Sequence, residues 1–110
     1  LYMHFNKVPL LALENVRADW INFFHICDAE DHAFTKDEMI NIARDVRLYP
    51  GEGAIDFWAI NYLFPNTPLS IELPHTKRMA AFGAEQHARN CLVAARKVFD
   101  EDHQIQHQMR

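Results

Sequence analysis

The stretch CDAEDHAFTKDE, residues 27–38, sets five carboxylates and one lysine between two apolar segments. Upstream, in LLALENVRADWINFFHIC (10–27), Val16, Trp20, Phe23, Phe24 and Cys27 recur at three and four and share one helical face. Downstream, in EMINIARDV (38–46), Met39, Ile42, Ala43 and Val46 do the same. The expectation for this part of the chain is helix, acidic loop, helix.

The remaining punctuation extends that pattern. Glycine occurs only at 51, 53 and 83, and proline at 9, 50, 65, 68 and 74. YPGEG (49–53) is a break, because proline and glycine together stop a helix. AIDFWAINYLF (54–64) is a third helical segment, apolar nearly all round. PNTPLSIEL (65–73) is extended, with two prolines and then the alternating Leu69, Ile71 and Leu73. Pro74 suits the first position of a further helix, which Gly83 caps or kinks. AEQHARNCLVAARKVFDED (84–102) is a long amphipathic helix with Ala84, Ala88, Cys91, Leu92, Ala95, Val98 and Phe99 on one side. The expected fold class is all-α.

Composition narrows the function. A chain of 110 residues is the size of one domain, and 49% apolar with 12% aromatic residues supports a core. A net charge of −4 argues against nucleic acid, which would call for a basic face. No apolar run approaches the ~18–20 residues of a membrane span, and no secretory signal is visible. Two cysteines, Cys27 and Cys91, are too few for a disulfide framework and read as buried thiols. A cytoplasmic protein is expected. The chain starts at Leu1 rather than Met, as a fragment or a processed product would.

The acidic stretch resembles a calcium-binding EF-hand. Asp19-Trp20, Phe23-Phe24, Cys27 and Asp28 fall at the spacing by which that family enters its loop. Glu38, Met39, Ile42-Ala43 and Val46 match its exit, and Phe34 stands where the family has the apolar residue that forms a short strand with a partner loop. The resemblance covers residues 19–46. It implies calcium ligands at Asp28, Glu30, Asp31 and Glu38. The loop departs from the family pattern: only eleven residues run from Asp28 to Glu38 instead of twelve, and no glycine stands near His32 and Ala33, where the turn needs one. His32 would offer nitrogen to a hard cation that prefers oxygen. Calcium binding is therefore expected to be weak or lost, with any affinity weaker than ~10⁻⁵ M.

EF-hands pair through their short strands, and Ile71 lies 37 residues after Phe34, close to the repeat of paired hands. Phe57, Ile60 and Phe64 would lie on the entering helix of a second hand, with Met79 and Phe82 on its exit. The loop between them offers only Asn66, Thr67 and Glu72 as polar oxygen side chains, so that hand implies pairing without calcium. A pair of this kind is similar to the C-terminal half of invertebrate sarcoplasmic calcium-binding proteins. The implied organisation is an N-terminal extension (1–9), a degenerate EF-hand pair (10–82) with a short antiparallel link between Phe34 and Ile71, and a C-terminal helix with a polar tail (83–110).

Other constellations are thinner. Asp100, His103 and His107 would share a helix face and could take Zn²⁺ or Cu²⁺, although a solvated tail is the simpler expectation. No nucleophile–base arrangement and no glycine-rich phosphate loop is legible, so an enzyme is not expected. Trp20, Phe24, Met39, Ile42, Phe57, Met79 and Phe99 supply apolar surface for a partner-binding groove. The leading expectation is a protein-interaction or regulatory module that takes a protein or peptide, or that dimerises through its C-terminal helix. The alternatives are a calcium buffer or sensor using the first loop, and a small-ligand-binding helical domain or enzyme.

Overall fold

Local signals set four of the five helices. In the computed structural model, which describes the backbone of residues 1–108 and the side chains of residues 1–100, the acidic stretch ends in a capping box. Thr35 Oγ1 accepts the Glu38 N–H at 3.1 Å, and Glu38 Oε1 accepts the Thr35 N–H at 3.1 Å. The helix that follows runs Lys36–Asp45 (α2), after a short N-terminal helix, Tyr2–Phe5 (α1). Asp56 caps Phe57–Leu63 (α3) by accepting the Ala59 N–H at 3.2 Å. His75 Nδ1 accepts the Arg78 N–H at 3.2 Å and opens Thr76–Phe82 (α4). Gly83, at φ 79°, reverses the chain into the long helix Ala84–Gln108 (α5).

The segment before the acidic stretch is not helical, which corrects the expected fold class. Residues Leu10–Asn15 and Ala18–Trp20 form short 3₁₀ turns, and Phe24–Ile26 is a β-strand (β1). Polar residues break the helix locally. Asn15 donates to the Ala12 carbonyl at 3.5 Å, and Arg17 forks onto Asp19 at 2.6 and 3.1 Å, a pair two residues apart that a helix does not bring face to face. The fold is largely helical but not all-α, and 3₁₀ turns and a strand stand where a helix is expected to enter the acidic stretch.

The expected strand link is corrected too. Strand β1 pairs in parallel with Leu69–Ile71 (β2), in the register Phe24–Leu69, His25–Ser70 and Ile26–Ile71. Ile71 therefore meets Ile26, not Phe34, and the pairing is not antiparallel. Phe34 sits instead in an aromatic group with Phe5, His4 and His32. Isolated antiparallel bridges join Asp28 to Leu48 and Val46 to His75.

The core gathers around this sheet. Ile26, Phe57, Ile60 and Ala95 are buried together, with Phe24, Ile55, Ile71, Val98 and Phe99 packed against them. Ala95, Val98 and Phe99 thus lie against α3 of the same chain, and Phe99 meets Phe57 edge-on at 5.5 Å. A second cluster joins Cys27, Leu73 and Cys91. No described helix is long and apolar enough to cross a membrane.

Candidate functional site

Asp28 is fully buried, and its carboxylate gathers four main-chain N–H groups. Oδ1 accepts the N–H groups of Ala29 and Ile55 at 2.9 and 3.0 Å. Oδ2 accepts those of Gly51 and Gly53 at 2.8 and 3.0 Å. The Tyr49–Ile55 loop thereby wraps its amides round one anion, a backbone nest with the anion supplied in cis. Gly53 is required there: a Cβ would overlap the Ala29 carbonyl oxygen and stand 2.6 Å from Asp28 Oδ1. Outside, Glu52 forks onto Arg78 at 2.5 and 2.9 Å, and the Arg78 guanidinium lies 4.2 Å from the Tyr49 ring centroid.

The other expected calcium ligands stand apart from this cluster in their bonding. Glu38 closes its own helix cap, and the Thr35 N–H holds its carboxyl below the usual range. Glu30 is exposed and lies 3.4 Å from His32 Nε2, and Asp31 is exposed. Among the described residues no group of three or more His, Cys, Asp or Glu is placed to hold a metal ion. The side chains of His103 and His107 lie outside the described residues.

The expected groove residues divide among different places. Phe24, Phe57 and Phe99 share the core, while Trp20 is 67% exposed and Met79 is also exposed. Met39 faces a shallow hollow beside α1, and Ile42 lines another beside Ala29 and Leu48. Phe24 and Phe57 line one cleft, while Met39 and Ile42 line two others.

A different cleft, of about 370 Å³, lies between the N-terminal arm (residues 1–10) and β1. Phe24 to Cys27, Ala54 to Phe57 and Ile60 line it on one side, with Leu1 to His4 and Val8 to Leu10 from the arm. His4 Nε2 donates to the Glu30 carbonyl at 2.7 Å, and buried Phe5 packs edge-on against Phe34 at 5.3 Å, so the arm is pinned to the acidic turn. Lys7, at φ 55°, turns the chain between α1 and Pro9. Sequence reasoning set this arm aside as an extension. The signal that could have found it is its apolar run, Leu1-Tyr2-Met3 and Phe5, ahead of Pro9.

The main chain along this cleft is only partly paired. The Phe24 N–H donates to Pro68 at 3.1 Å, and Ile26 accepts from the Glu72 N–H at 3.0 Å. A parallel ladder engages alternate residues of a strand, so the N–H and C=O of His25 point away from β2. The same alternation puts Asp28, bridged to Leu48, on the β2 side and Ala29 on the outer side, where its carbonyl accepts the Ala54 N–H at 2.9 Å. Between these, the main-chain groups of His25 and Cys27 have no hydrogen-bond partner among the described residues, and Cys27 is 2% exposed.

One histidine–cysteine contact invites a catalytic reading. Buried His87 lies with Nε2 3.0 Å from the Leu73 carbonyl, Nδ1 3.3 Å from the Tyr49 hydroxyl, and Nε2 3.9 Å from Cys91 Sγ. A carbonyl only accepts, so Nε2 carries the proton and cannot take one from the thiol. Burial pushes the Cys91 thiol up, the reverse of what activates a nucleophile. The contact packs α5 against the chain after β2.

No family model matches the chain, and neither a curated protein nor a solved structure matches it.

Proposed function

We propose that this chain is a protein-interaction module whose working surface is the cleft between the N-terminal arm and β1. The observation that carries the reading is the cleft itself: about 370 Å³, walled by Leu10, Phe24, Ile26, Ile55, Phe57 and Ile60, with a few polar groups at hand. That size and apolar lining are those of a ligand cleft, and its place beside a strand edge suits a short apolar segment. The dimer through α5 has less support, because Ala95, Val98 and Phe99 already pack against α3 in the same chain.

The test is a titration of the labelled protein with capped hexapeptides that alternate apolar and polar residues, followed by methyl and amide NMR. Shifts should concentrate at Leu10, Ile55 and Ile60, and Val8→Trp, which adds bulk to the cleft lining, should weaken binding. Shifts centred instead on Phe82 and Val93, or no binding below ~1 mM, would remove this cleft as the site.

A further inference from the structure

We infer that the partner segment binds as an added β-strand on the outer edge of β1, exchanging main-chain hydrogen bonds with His25 and Cys27. This rests on the cleft being the binding surface and goes further by fixing the conformation of what enters it. Three observations converge. The sheet has two strands, and β2 covers only one edge of β1. On the other edge Ala29 already takes a main-chain bond from Ala54, so strand-like pairing on that side exists and stops short of Cys27. Cys27 is almost wholly enclosed, yet its N–H and C=O are without partners among the described residues. Buried main-chain groups are nearly always paired, and an extended peptide supplies one donor and one acceptor at alternate residues, the spacing at which His25 and Cys27 present theirs.

The geometry also states what the segment must be. Side chains of an added strand alternate between the two faces of the sheet. On the face of Phe24 and Ile26 they meet Ile55, Phe57 and Ile60, so every second residue of the segment is apolar. The segment contains no proline where its N–H must face β1.

The experiment is an N-methyl scan of the best hexapeptide from the titration above. Methylation removes one N–H without removing a side chain. Strand addition predicts a period of two: methylation at alternate positions weakens binding by about ten-fold or more, and at the positions between them has little effect. His25→Pro removes the edge donor from the protein and should weaken binding of the unmethylated peptide by a similar factor, with the melting curve as a check on folding. Should that variant unfold, the methyl scan stands alone. A peptide that binds in the cleft with no two-residue period would overturn strand addition and leave the cleft reading intact. Failure of the whole panel to bind would end both.

Discussion

Two stretches of main chain, His25–Cys27 and Gly51–Ile55, lie on either side of Asp28 in their bonding and are treated in opposite ways. In the loop, the N–H groups of Gly51, Gly53 and Ile55 converge with that of Ala29 on one buried carboxylate. In the strand, the outward N–H and C=O groups of His25 and Cys27 meet nothing among the described residues. Satisfied amides hold a fold; the unsatisfied ones, next to an apolar cleft, are where a partner strand is proposed to pair. In this chain the unmet hydrogen-bonding capacity lies in the backbone of β1 rather than in a side-chain motif.

The largest effect is expected at Asp28. Asp28→Ala removes four charge-assisted acceptor contacts and leaves amides around an apolar methyl. The expected loss is about 4 kcal/mol in urea denaturation, a large part of the stability of a domain this size. Asp28→Asn keeps one carbonyl oxygen and should recover part of that. A loss under ~1 kcal/mol for the alanine variant would mean the loop holds itself without the anion.

Next in size is Gly53→Ala. The added carbon would meet the Ala29 carbonyl and Asp28 Oδ1, both fixed by main-chain pairing, so the loop must move. A cost of about 2–3 kcal/mol is expected, the range of overpacking at a site that cannot give. Because the loop and the cleft share Ala54 and Ile55, this variant should also weaken peptide binding; full stability with binding lost would separate the two regions more than their shared residues suggest.

How much of this was legible depended on sequence distance. α2 is legible in the spacing of Met39, Ile42 and Ala43, but its start at Lys36, set by the Thr35–Glu38 capping box, lies two residues ahead of the expected segment. Leu69, Ile71 and Leu73 showed their extended alternation, and Leu69–Ile71 is β2. The segment 10–27 misled because its apolar residues have helical spacing while Asn15, Arg17 and Asp19 make local turns, and because Phe24 and Ile26 gain more from pairing with β2 than from a helix. Asp28 looked like a metal ligand because its partners lie 23 to 27 residues away, in a loop whose glycines registered only as a helix stop. The open edge of β1 was beyond reach, since it exists only once the strand pairing is known.

Phe99→Ala examines a region outside the comparison and so limits it. Phe99 is half-buried against Phe57. Its loss should cost about 2–3 kcal/mol, below the range for a fully buried phenylalanine, with sedimentation mass unchanged. A shift in mass instead would move the interface from the cleft to α5.

The smallest effect concerns what holds the loop from outside. The Arg78 guanidinium, helped by the Tyr49 N–H, keeps the Glu52 carboxyl below the usual carboxylate range. A carboxylate whose folded pKa is depressed stabilises the fold above its unfolded pKa, ~4.3 for glutamate, and loses that contribution as pH falls through the folded value. Over a third of the Glu52 side chain is exposed, and solvent screens the pair, so the contribution at pH 7 is below about 1 kcal/mol. Glu52→Gln should therefore be slightly less stable than the parent at pH 7, and the gap should narrow as pH falls below ~4.3 and through the depressed folded value. Asp28 grips the same loop from within, so the loop should stay folded in Glu52→Gln at pH 7, with the Gly51 and Gly53 amides still slow to exchange. A gap that does not narrow at any acid pH at which the protein stays folded would show that Glu52 acts by shape alone. Fast exchange at both glycines would show that the outer ion pair, rather than the buried carboxylate, is what closes the loop.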